Sequence, residues 1–183
     1  MATAQLVTVA EDGTPDATFM PVLMRDGVLI GHVARANPHW KRIVDGSPAL
    51  AVVTGPDAYV SPSLYATKAE HGRVVPTWNY SAVHVRGVVR VHDDPEWVRG
   101  VVTALTERFE GTRETPWAVT DAPERYVAGQ LRAIVGVSIT VESVEGKAKL
   151  SQNRSAEDVA GVIAGLTGTS GEPVARQMRA LGD

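Results

Sequence analysis

Apolar and polar positions alternate in short runs through the first half of the chain and regroup at helical spacing in the second. Residues 6–9 (Leu-Val-Thr-Val) are rich in β-branched side chains and end at Glu11-Asp12-Gly13, a hairpin turn signal. Residues 17–24 predict a second strand. Pro21 inside it points to an edge or a bulge, because proline offers no N–H to a ladder. Asp26-Gly27 turns the chain into a third strand at 28–33. A fourth covers 49–54, where Gly55-Pro56-Asp57 reads as a turn before the pattern resumes at 58–60. The longest strand candidate is 82–92, and 133–144 predicts another. Short strands joined by tight turns indicate an antiparallel sheet or barrel, not a βαβ fold.

Helical signals fall between and after the strands. Asn37-Pro38 couples an N-cap to a proline at the first helical position and predicts a short helix to Asp45. Asp94-Pro95 repeats that signature before Val98, Val101, Val102, Leu105 and Phe109, which share one helical face. Ser155 caps a helix carrying Val159, Val162, Ile163 and Leu166, with Asp158 where a capping-box acid would stand. Residues 167–173 are small and polar, a linker to a last short helix. The expected organisation is a barrel with inserted helices over 1–150. A helical tail over 151–183 would pack on the barrel or on a partner subunit.

Composition narrows the chemistry. At 183 residues, 44% hydrophobic and 21% charged, the chain suits one globular domain or one domain with a tail. The absence of cysteine removes disulfides, thiolate metal sites and thiol nucleophiles, and fits a cytoplasmic protein. Net charge is −3 and no basic run occurs, so the sequence gives no support to DNA binding, which rests on neutralising phosphates. No run of about 18 apolar residues predicts a membrane span, and residues 1–10 lack the basic flank and apolar core of a signal peptide. Dinucleotide, P-loop, zincin and nucleophile-elbow motifs are absent. No helix-turn-helix pattern stands out, and the histidines at 32, 39, 71, 84 and 92 show no zinc spacing.

Four segments are richer in donors and aromatic rings than a scaffold requires. In GHVARANPHWK, His32, Arg35, Asn37, His39 and Lys41 join the end of a strand to the start of a helix, a place suited to a phosphate or carboxylate. In GPDAYVSPSLY, Tyr59, Ser61 and Ser63 alternate and would share a strand face. In VPTWNYSAVHVRG, Trp78 and Tyr80 flank Asn79 and could wall a planar ligand, with His84 and Arg86 further along the strand. In KAKLSQNR, Lys149, Ser151, Gln152 and Arg154 precede a helix cap.

These segments, with AIVGVSI, occur in the order and spacing of the PaiB family, which the chain resembles from about Gly31 to Leu166. The resemblance implies a mostly β, antiparallel split barrel of Greek-key type, like pyridoxamine-phosphate oxidase. It implies a homodimer holding FMN at the shared boundary. It implies Arg35, Asn37 and Lys41 near the FMN phosphate, and Trp78, Asn79 and Tyr80 near the cofactor, with His84 on an adjacent strand. Lys149, Ser151, Gln152 and Arg154 would reach in from the partner. Members are described as negative transcriptional regulators, and flavin-dependent redox chemistry is the other implied role. A branch that resembles PaiB carries haem b and joins two nitrogens to make piperazate; there His32 or His39 would be the best-placed axial ligand, with His84 third. Neutral imidazole is a common ligand of haem iron.

Three positions depart from the family pattern. Phe19 and Asp57 stand where histidines are usual, and Leu64 where a tryptophan is. The family's N-terminal helical segment has no counterpart before Leu6. The departures leave room for a changed cofactor.

Overall fold

The computed structural model describes residues 3–181. Six strands close into an antiparallel barrel: β1 (Thr3–Val9), β2 (Pro15–Arg25), β3 (Val28–Ala34), β4 (Pro48–Val60), β5 (Thr77–His92) and β6 (Ile134–Lys149), in the order β1-β2-β3-β6-β5-β4. Five α-helices accompany them among the described residues: α1 (Lys68–His71), α2 (Pro95–Glu110), α3 (Glu124–Leu131), α4 (Ala156–Leu166) and α5 (Glu172–Ala180). The expected mostly β, antiparallel barrel is the observed one.

Local chemistry explains the hairpins. Asp26 and Gly27 both have positive φ, 49° and 77°, the pair that a two-residue turn between twisted strands needs, and Arg25 pairs with Val28 across it. Pro21 marks a change of partner within β2. Residues up to Pro21 pair with β1, and Val22 onward pairs with β3. Proline is tolerated where one ladder gives way to the next.

Three expectations need correction. Gly55-Pro56-Asp57 is not a turn, because β4 runs unbroken from Pro48 to Val60. Gly55 serves close approach: a Cβ there would lie 2.1 Å from Ser81 Oγ on β5. The helix expected over 37–45 is a four-residue 3-10 turn, Pro38–Lys41, closed by Arg42 N donating to His39 O. Asp158 does not act as a capping-box acid. Its Oδ1 accepts from Thr67 N at 3.0 Å and its Oδ2 from Thr67 Oγ1 at 2.9 Å, so the carboxylate ties α4 to the start of α1. Helices α1 and α3 are additions that the hydrophobic spacing did not reveal; α3 is only eight residues long.

The chain divides into two compact units. The first comprises Met1–Val53 and His84–Glu145, the second Thr54–Val83 and Gly146–Asp183. In unit 1, Ala4, Leu6, Met20, Val22, Leu29, Val85, Val89, Val137 and Ile139 are buried. A second cluster there joins Val98 of α2 to Val119, Val127 and Leu131. In unit 2, Ala58, Val60, Tyr65 and Leu150 share a core with Val162, Leu166, Val174, Ala175 and Met178. Residues 151–181 are therefore one wall of a core whose other wall comes from 58–65.

Candidate functional site

The donor-rich turn after β3, in unit 1, spends its donors on itself. Arg35 Nη1 donates to Asp93 Oδ2 at 3.0 Å, Nε to Arg132 O at 2.7 Å, and Nη2 bonds Asp93 Oδ1 and Ile134 O. These bonds hold the Asp93 carboxyl below its usual range. Asn37 Oδ1 accepts from His39 N, and Asn37 Nδ2 donates to Thr18 Oγ1, each at 3.0 Å. His39 is 2% exposed, its Nε2 is 2.8 Å from Thr8 Oγ1, and its Nδ1 is 2.7 Å from Thr18 Oγ1.

Arg35 and Asn37, expected near a phosphate, have these donors engaged within the chain: three nominated side chains bind the turn to β1, β2 and β6. Both ring nitrogens of His39 are taken, so neither faces a haem iron. Lys41 Nζ lies 5.6 Å from the centre of the Trp40 ring. His32, opposite Gly136 of β6, keeps a buried Nδ1 with no hydrogen-bond partner, as does His84 on β5. Burial lowers the pKa of His32 and holds it neutral.

Unit 2 carries the exposed rings. Along β5, Trp78 and Tyr80 face outward and Asn79 inward, as strand alternation requires. Trp78 is 53% exposed and meets Tyr59 edge-on, with ring centres 6.2 Å apart. Lys149 Nζ donates to Trp78 O at 2.9 Å and to Thr77 Oγ1, fixing the backbone under the indole. Both partners are neutral oxygens, so the charge of Lys149 is left uncompensated by these bonds. Arg154 lies 4.7 Å from the centre of the buried Tyr65 ring.

Other nominated residues of unit 2 are internal braces. Asn79 is fully buried; its Nδ2 donates to Ser151 Oγ at 3.0 Å and its Oδ1 accepts from that hydroxyl. Ser151 adopts φ +64°, held by this bond. Gln152 Oε1 accepts from Leu150 N, while Nε2 donates to Ala148 O. Ser61 Oγ accepts from Ser63 N and caps a short turn. Of the nominated set in unit 2, Tyr59, Trp78, Tyr80, Lys149 and Arg154 remain able to meet a ligand.

The sequence reading passed over an apolar outer face on unit 1. Phe19, 65% exposed, lies opposite Gln5, which lies opposite Val52; Ala17, Val7 and Leu50 form the next row. The available signal was that Val7 and Val9 of β1 and Phe19 of β2 stand on the faces opposite the buried Leu6 and Met20.

The sequence matches, over residues 1–143, the family described as "Putative FMN-binding domain". It is 33% identical over 179 residues to the Bacillus subtilis protease synthase and sporulation protein PAI 2, covering 96% of this chain and 83% of that one. An uncharacterised protein of Aspergillus fumigatus is 34% identical over 192 residues, with 86% and 74% covered. Among solved structures, the FAD and haem binding protein of Mycobacterium smegmatis superposes with a TM-score of 0.58 at 21% identity, over 87% of this chain and 72% of that chain.

Proposed function

This chain belongs to the PaiB family of FMN-binding domains, and on that premise we propose that it binds FMN as a pair of identical chains and serves as a flavin-dependent redox protein. The observation that carries the reading is the set of exposed rings on unit 2, Tyr59, Trp78 and Tyr80, standing on strand backbone. Large rings held this way lose little entropy when they cover a flat ligand. The residues fit FMN in kind: a planar apolar wall, the Lys149 ammonium bonded to neutral oxygens, and the Arg154 guanidinium over Tyr65. FMN supplies reversible acceptance of electrons or hydride. The chain's part is to wall the ring with Trp78 and Tyr80, attract the phosphate and keep water away.

Purified protein should take up FMN with roughly micromolar affinity, read by quenching of flavin fluorescence. Trp78→Ala should weaken that uptake about tenfold or more, the scale of one lost ring contact. Protein that stays colourless and ignores added FMN ends this reading.

Pairing is supported by the apolar rows through Phe19 and Val7. An exposed Phe19 beside the half-buried Val7, Leu50 and Val52 is apolar surface of the kind that marks an interface, and a second copy is the partner that the family resemblance implies. Phe19→Glu should weaken self-association at least roughly tenfold in sedimentation without loss of fold, since a charge would be buried unpaired only in the dimer. Unchanged dimer stability would exclude this face.

A haem reading, as in the piperazate-forming branch, is favoured by one observation: half-buried His32 is held neutral and has a buried, unpartnered Nδ1. A Soret band that His32→Ala abolishes and His39→Ala leaves in place would support it. No band after growth with haem would dismiss it.

A further inference from the structure

We propose that the groove between α2 and the 111–120 segment of unit 1 binds a small organic cation with an apolar body. The groove encloses about 460 Å³, within the range of small-molecule pockets. One wall is a single face of α2, formed by Arg99, Thr103, Thr106, Glu107 and Glu110; the other presents Trp117. Both walls are braced. The opposite face of α2 buries Val98, Val101 and Leu105, so the helix cannot turn. Trp117 N donates to Glu110 Oε2 at 3.2 Å, Ala118 N donates to Asp121 Oδ2 at 2.8 Å, and Val119 is seated in the core with Val98. A half-exposed indole is therefore held on fixed backbone over a helix face.

The charges in the groove select the occupant. Arg99 is neutralised by Glu124 at 2.5 Å, and Glu110 by Arg113 at 3.0 Å. Glu107 is exposed and makes no ion pair among the described residues, so the groove that Trp117 also lines keeps one uncompensated negative charge. An ammonium group can donate to the Glu107 carboxylate and lie against the ring, while Pro116 and the threonine methyls cover an apolar body. A carboxylate ligand would meet repulsion from Glu107, and a neutral one gains neither charge term.

The site is independent of the flavin reading, and the test separates them. Calorimetric titrations of the full chain with 2-phenylethylamine, 2-phenylethanol and phenylacetate compare a cation, a neutral isostere and an anion. The amine should bind at least about tenfold tighter than the alcohol, and phenylacetate not at all. Glu107→Gln should remove the amine's advantage while leaving the alcohol and FMN uptake unchanged; Trp117→Leu should weaken both amine and alcohol. The proposal falls if amine and alcohol bind alike, if Glu107→Gln binds the amine as tightly as wild type, or if none of the three gives heat.

Discussion

Replacing His39 with alanine is expected to cost about 2–4 kcal/mol of stability, because it strands the buried Thr8 hydroxyl, takes one of two partners from half-buried Thr18 and opens a cavity. Thr18 Oγ1 already accepts from Asn37 Nδ2, so its own hydrogen is free for His39 Nδ1, and Nε2–H then donates to Thr8 Oγ1. That arrangement requires a neutral ring. Burial lowers the pKa of His39, with Asp16 and Arg42 acting on it in opposite directions. His32 and His92 are lowered by burial too.

The pH dependence follows from the sign of these shifts. An unfolded histidine titrates near 6.5, and these folded ones titrate below it. In that window the unfolded chain binds more protons, so stability is complete above about pH 6.5 and falls as the pH drops towards the folded values. Urea unfolding at pH 7.5 and 5.5 should give a lower midpoint at pH 5.5, and a smaller difference between the two in His39→Ala. An identical pH response in the variant would free His39 of that role.

Asn79→Ala is the second large effect, about 2–4 kcal/mol, by the same physics in unit 2. The amide is enclosed by Ser151 Oγ and, at 3.4 Å, Met178 Sδ. Removing it leaves the Ser151 hydroxyl buried and releases the bond that holds φ at +64°. Thermal unfolding of Asn79→Ala should fall well below wild type, and any loss of FMN uptake should track the fraction unfolded. A variant as stable as wild type with specific loss of FMN affinity would return Asn79 to the ligand's side.

These two residues mark how far the sequence carries. Strand alternation exposes β1, β3 and the second half of β5 to a reader, because each buries one face or both. The cap signals at Asp94-Pro95 and Ser155 also hold, since a cap depends on neighbours within the same turn. What local pattern could not reveal is where a polar group finds its partner. Arg35 meets Asp93, His39 meets Thr8, and Asn79 meets Ser151 across separations of 58, 31 and 72 residues. A donor-rich stretch therefore reads as a ligand site until the fold supplies those acceptors. Trp78 and Tyr80 were recoverable because the strand alternation that buries Asn79 also turns both rings outward.

The match to the FMN-binding domain ends at residue 143, but the chain's own packing does not respect that limit. Ala58, Val60 and Tyr65, which lie inside the match, are roofed by Val162, Leu166, Val174 and Met178, which lie outside it. A fragment trimmed at the domain's conventional boundary would bare that hydrophobic seam to water and should collect in inclusion bodies. Any useful expression fragment has to run through α5.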